Sequence, residues 1–127
     1  MFREFGLHTA LLRNEAWFYL FCPDDWQIET AIRYIKNKKK MKIVPDVKFR
    51  DEEGIFHAVE VDRSQKMNLN EEKMKKYGEF TPFYKHKYNG KVPVIHFFTV
   101  TEYREKTLEE FAAKYDVLAS VYVIEEI

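Results

Sequence analysis

From Phe5 to Phe21 the apolar residues recur at Leu7, Leu11 and Leu12, then thicken through Ala16, Trp17, Phe18, Leu20 and Phe21. This spacing predicts a helix that becomes deeply buried toward its end. Pro23, Asp24 and Asp25 stop it, because proline cannot continue the hydrogen-bond ladder and aspartate favours a turn. In Trp26 to Lys36, Ile28, Ile32 and Ile35 fit a helical stripe, while Ile28, Thr30, Ile32 and Tyr34 fit one face of a strand. The pattern is read as a strand. The run Asn37 to Lys40 then forms a basic hairpin tip, returning into Lys42 to Arg50, where Ile43, Pro45, Val47 and Phe49 alternate with Val44, Asp46 and Lys48. A turn at Asp51 to Gly54 leads into Ile55 to Arg63, with Phe56, Ala58 and Glu60 on one face and His57, Val59, Val61 and Arg63 on the other. Two short turns between three strands predict an antiparallel meander.

Beyond Arg63, Asn68 or Asn70 can cap a helix running through Phe80, with Leu69, Met74 and Tyr77 at helical spacing, and Pro82 and the Asn89-Gly90 turn close that section. Lys91 to Thr101 reads as a buried strand. Thr107 opens a helix carrying Leu108, Phe111, Ala112 and Tyr115, and Val117 to Ile124 is a last strand. Strand, helix, strand at this spacing implies a crossover between parallel neighbours. The expected fold class is α/β, a mixed central sheet in which the three-strand meander precedes a β-α-β crossover.

Composition agrees with one packed domain over residues 1–127: 46% of the residues are hydrophobic and 17% aromatic, with four Gly and four Pro. Lys plus Arg and Asp plus Glu are 21 each, so the whole molecule has no electrostatic pull toward nucleic acid or an anionic membrane. Any nucleic-acid contact must come from a local patch. The single cysteine, Cys22, cannot close an internal disulfide, and with no apparent signal peptide a cytoplasmic location is expected. Cys22 itself reads as a core residue beside Phe21 rather than a reactive thiol. The longest apolar stretch, Ala16 to Cys22, is far short of the roughly 20 residues of a membrane helix, so no membrane association is expected.

Asp46, Glu60 and Asp62 are the residues with the most chemical promise. Glu60 and Asp62 are two apart on one strand and project from one face, and Asp46 on the neighbouring strand reaches that face if the register allows. Clustered carboxylates repel one another, and an oxygen-seeking divalent cation, Mg²⁺ or Mn²⁺, relieves that repulsion. Such an ion can activate a water against a phosphate, with Arg63 or Lys66 holding the phosphate. The competing reading is that Asp46 and Asp62 are turn or surface carboxylates paired with Lys48 and Arg63. His8 and Asn14 are six apart and suit hydrogen bonding within the core. Glu29 is a further acidic ligand if its strand lies beside Asp46, and otherwise a surface carboxylate. Two basic patches stand out: Lys38, Lys39 and Lys40 with Lys36 and Lys42, and Lys85 and Lys87 with His86 and Lys91, the latter interleaved with Phe83, Tyr84 and Tyr88. Each is either a DNA contact or a solvated turn.

Pro45-Asp46 followed by Glu60-x-Asp62, in the order helix, meander, helix, strand, resembles the PD-(D/E)xK nuclease superfamily. More narrowly, the stretches His8 to Asn14, Trp26-x-x-Glu29, Pro45-Asp46, His57 to Arg63 and the Leu69 to Tyr77 helix are similar to the replication-relaxation family of plasmid and phage proteins. The resemblance covers nearly the whole chain. It implies a restriction-endonuclease-like fold and a role in replication control, through DNA or a replication protein partner. Two departures limit this, the first bearing on catalysis and the second on independent, sequence-specific DNA binding. Asp62 stands where the superfamily most often carries a lysine, with Lys66 as a substitute, and only seven residues precede His8, where the family commonly has a winged-helix segment. The expected function is therefore binding without efficient catalysis. A Mg²⁺-dependent DNA endonuclease or nickase is the alternative, and a homodimer formed through the aromatic surface around Phe80 to Tyr88 is the third.

Overall fold

A computed structural model describes residues 12–124. The first helix, α1, is described over residues 12–19. It is followed by β1 (Gln27–Ile28), β2 (Ile32–Lys36), β3 (Lys39–Ile43), β4 (Val47–Arg50), β5 (Phe56–Val61), α2 (Met67–Lys87), β6 (Val94–Thr99), α3 (Glu102–Lys114) and β7 (Ala119–Val123). A five-stranded sheet has the order β1-β4-β5-β6-β7, and β2 and β3 form a separate two-stranded sheet. The β1/β4 and β4/β5 pairs are antiparallel, whereas β5/β6 and β6/β7 are parallel, with α2 and α3 as the two crossovers. The chain is thus α/β with a mixed sheet.

Two cores flank that sheet. Ala58, Ile95 and Phe97 pack with Met74, Tyr77 and Phe80 of α2 and Leu108 of α3. Val59, Val61 and Phe98 face the other way, onto Leu12 and Ala16 of α1. β6 is therefore buried on both faces, which explains its unbroken apolar run. Each fully buried ring or branched chain adds roughly 1.5–3 kcal/mol.

The structure corrects several expectations. The predicted meander is not continuous, because Glu29, Thr30 and Ala31 break the first strand in two and Val44, Pro45 and Asp46 break the second. Pro45 has no N–H to give a ladder, so β3 ends before it and turns back on β2. Ile43 consequently packs with α2, while Val47 and Phe49 pack with α1. The hairpin tip is only Asn37-Lys38, both left-handed (φ 49° and 64°), as a two-residue type I′ turn requires. Lys39 and Lys40 belong to β3.

Helix α2 starts at Met67 behind Lys66 rather than behind Asn68 or Asn70, and it runs through Pro82 to Lys87. Burial of Phe80, Thr81 and Tyr84 on both sides of Pro82 holds the helix together against the missing hydrogen bond. Helix α3 opens at Glu102, where Thr101 accepts a hydrogen bond from the Arg104 backbone N–H at 3.2 Å, and Thr107 lies inside it. The end of α1 is not deeply buried: Phe18, Tyr19 and Phe21 are exposed, Phe21 by 93%. Cys22 is exposed rather than in the core, in a left-handed turn with Phe21. His8 lies outside the described residues, and Asn14 is exposed.

Candidate functional site

The β4/β5 register pairs Val47 with Val59, so Asp46 and Glu60 stand opposite one another one step beyond that pair. Asp46 is held there by its own chemistry. Its Oδ2 accepts the Val61 backbone N–H at 2.7 Å, and its carbonyl accepts that of Glu29 at 3.0 Å, tying β1, β4 and β5 together. Glu60 is 4% exposed, and its side chain points toward α2. There Lys73 Nζ stands 2.8 Å from Oε1, and the Tyr77 hydroxyl donates to Oε2. Burial pushes the Glu60 carboxyl up to about 7; Lys73 opposes that shift and the Asp46 charge adds to it. The buried Tyr77 hydroxyl is likewise pushed far up by burial and by Glu60.

Asp62 is drawn into a different set. Arg104 Nε and Nη2 stand 2.7 and 2.8 Å from its two oxygens, and the Thr99 hydroxyl donates to Oδ2 at 2.9 Å. Although burial works against the charged form, Arg104, Asn70 and Thr99 together hold this carboxyl below the usual carboxylate range. Arg104 also donates to the Gln65 carbonyl, so it pins the β5–α2 connection to α3.

Of the sequence-derived residues, Asp46 and Glu60 come together, and Asp62 lies two residues along the chain with both oxygens committed to Arg104. Arg63 follows in the same connection, partly buried, and Lys66 is exposed at the N-cap of α2. Lys48 donates to the Ala31 carbonyl at 3.2 Å rather than pairing with Asp46. The three carboxylates do not converge, and among the described residues no group of three or more acidic, histidine or cysteine side chains is placed to hold a metal ion. With Glu60 committed to Lys73 and Tyr77 and Asp62 to Arg104, this donor set does not fit a Mg²⁺ or Mn²⁺ ion bound by all three.

Lys73 and Tyr77 are the residues the sequence reading missed. They lie four apart on one face of α2, and that spacing beside a buried Glu60 was the available signal. Lys73 also donates to the Val44 carbonyl at 2.8 Å, closing the gap left by the broken strand. Beside it lies a cleft of about 350 Å³ whose walls include Lys42, Val44, Leu69, Lys73 and Lys76.

The basic hairpin borders this cleft. Ile32, Tyr34 and Ile43 are turned inward onto α2, leaving Arg33, Ile35, Lys40 and Lys42 on the exposed face. Arg33 is directly opposite Lys42, and Lys36 is opposite Lys39. Lys36 is neutralised by Glu79. Lys85 and Lys87 are exposed on the last turn of α2, not in a loop, and Phe80 and Tyr84 nearby are core residues rather than a free aromatic surface. No described helix is long and apolar enough to cross a membrane.

Compared with protein-family models, with curated proteins and with solved structures, the chain finds no match in any of the three.

Proposed function

We propose that this domain binds DNA through its β2–β3 hairpin and the adjoining lysine-walled cleft, without efficient cleavage, as a nuclease-like module of plasmid or phage replication control. The observation that carries the reading is the hairpin itself. Arg33, Lys38, Lys39, Lys40 and Lys42 fall between Ile32 and Ile43 with no acidic residue among them, in a chain of zero net charge, while Lys36 is paired with Glu79. Like charges placed directly across a strand pair are destabilising, and Arg33–Lys42 is such a pair on the exposed face. A row of phosphates offsets that repulsion, and release of the counterions they carry supplies the affinity. Lys42 and Lys76 line the cleft beside Lys73, together with Glu72.

Weak catalysis follows from the acids being satisfied internally. Asp62 is neutralised by Arg104, and Glu60 is closed onto Lys73 and Tyr77. A second reading, a DNA endonuclease or nickase, is favoured by one arrangement: Asp46 and Glu60 face each other with the Lys73 amine alongside, where the motif position itself carries Asp62 in place of lysine. Binding and cleavage are separated by two measurements on one preparation. Fluorescence anisotropy with labelled duplex DNA is expected to give an affinity that falls steeply with salt, and no binding at low salt overturns the proposal. Supercoiled plasmid with Mg²⁺ or Mn²⁺ is expected to stay supercoiled; nicking that is lost in Glu60→Gln moves the assignment to the second reading.

A further inference from the structure

On the opposite face of the sheet from Glu60, four side chains from neighbouring positions form one continuous hydrogen-bonded line. His57 Nε2 stands 2.9 Å from Asp51 Oδ2, His57 Nδ1 stands 2.8 Å from His96 Nε2, and His96 Nδ1 stands 3.2 Å from the Tyr122 hydroxyl. β5, β6 and β7 thus each contribute one residue, and Asp51 comes from the β4–β5 turn. The two imidazoles are near-parallel, 16° apart in plane, and Phe49 of β4 stacks on His57 at 4.5 Å.

A ring nitrogen in such a line must either donate or accept, and with Asp51 ionised and the charge kept off the buried His96 ring, two complete assignments exist. In the first, both rings are neutral. Tyr122 O–H donates to His96 Nδ1, His96 Nε2–H donates to His57 Nδ1, and His57 Nε2–H donates to Asp51. In the second, the line holds one more proton and two of its bonds are reversed. The incoming proton sits on His96 Nδ1 and is donated to the Tyr122 oxygen, while the hydrogen formerly on His96 Nε2 is now on His57 Nδ1. His96 ends neutral in its other tautomer, and the positive charge rests on His57 beside the Asp51 carboxylate. Every bond is satisfied in both states. A further proton has no place, because two N–H groups would meet across 2.8 Å.

We propose that Asp51, His57, His96 and Tyr122 form a one-proton switch, in which a proton taken up at the Tyr122 end of the line places its charge at the Asp51 end. The surroundings favour that direction. Among the described residues, the titratable groups in contact with the line are Asp51 from the turn, Tyr122 from β7 and, from α1, Tyr19, whose ring packs against Tyr122, and Asp51 is the carboxylate within the line. Burial and the neighbouring His57 hold His96 down at about 4, so His96 itself resists the charge. Asp51 receives it well: burial opposes its ionisation, but the hydrogen bonds from His57, Ile55 N–H and Glu53 N–H keep it below the ordinary aspartate value. Asp51 also lines a cleft of about 630 Å³ with Asp24, Asp25, Glu52 and Glu53 on its rim, so proton uptake lowers the negative charge of that cleft. The switch is independent of the hairpin and of the DNA reading.

Long-range proton–nitrogen NMR spectra of the histidine rings, recorded on the full-length ¹⁵N-labelled chain from about pH 8 down to about pH 4, test this directly. Both rings are expected as Nε2–H tautomers at the alkaline end. On acidification His57 becomes imidazolium while His96 changes tautomer and stays neutral, the two events sharing one midpoint. Separate midpoints, or a His96 that keeps its Nε2–H throughout, overturn the proposal.

Discussion

Arg104 forks onto Asp62, with Nε and Nη2 at 2.7 and 2.8 Å from the two carboxylate oxygens, and this pair decides what the acidic motif can do. A bidentate guanidinium leaves little of the carboxylate for any other ligand. The same contact clamps the connection between β5 and α2 against the first turn of α3, because Arg104 also reaches the Gln65 carbonyl.

Removing Arg104 leaves Asp62, 1% exposed, as an uncompensated buried charge. Arg104→Ala is expected to lower stability by about 3 kcal/mol, read from urea unfolding at neutral pH. Arg104→Ala with Asp62→Asn is expected to recover much of that loss, since the amide needs no counter-charge. Equal losses in the single and double variants would mean that the packing of Arg104, not its charge, matters.

Glu60 predicts a pH dependence of the opposite sign to that of a paired surface acid. Its carboxyl is raised from 4.5 to about 7 in the folded protein, so the unfolded chain ionises first. The stability this group contributes is complete below about pH 4.5 and is lost as pH rises through 7. Glu60→Gln, which mimics the protonated form, is expected to be more stable than the wild type above pH 7 by on the order of 3 kcal/mol. The gap should close as pH falls toward 4.5. Unfolding curves at several pH values check this, and a gap independent of pH would show that Glu60 keeps its charge throughout.

Salt dependence measures the hairpin. Lys40→Gln and Lys42→Gln each remove a cation from the exposed face, where neither side chain supports the core. Each is expected to weaken DNA binding uniformly across sequences and to reduce the slope of log affinity against log salt by about 1. Lys85→Gln, at the far end of α2, serves as the comparison for the second basic patch.

Gly78 lies inside α2, where alanine would normally favour the helix by up to 1 kcal/mol. A Cβ at this position would stand 2.6 Å from the Tyr115 carbonyl oxygen. Gly78→Ala is therefore expected to destabilise the protein by about 1–3 kcal/mol, because α2 and the C-terminal end of α3 must move apart. Thermal unfolding gives the sign, and a raised melting temperature would show that this contact yields easily.

The period-two alternation from Phe56 to Val61 and the apolar run through Val94 to Thr99 made β5 and β6 legible, because a strand's side chains alternate by geometry alone. The parallel β6-α3-β7 unit was legible for a similar reason, since strand, helix and strand of that spacing close in only a few ways. One tight turn made the pairing of β4 with β5 legible, and alternation gave the shared direction of Phe56, Ala58 and Glu60, but the register that sets Asp46 opposite Glu60 came from the structure.

What the chain pattern could not decide depends on partners distant in sequence. The alternation of Ile43, Pro45, Val47 and Phe49 is real, yet its two halves enter different cores because Pro45 ends one ladder and Asp46 begins another. Pro82 is a stop signal locally, and only the burial of Phe80, Thr81 and Tyr84 carries the helix past it. Asp62 reads as a companion of Glu60 until Arg104, 42 residues away, takes both its oxygens. Lys73 and Tyr77 join the site for the same reason: helical spacing puts them on one face, but only the packing of α2 on the sheet chooses which face meets Glu60. Local spacing determines which way side chains point along an element. Their partners are set by how elements pack, through burial and charge compensation that no local pattern contains.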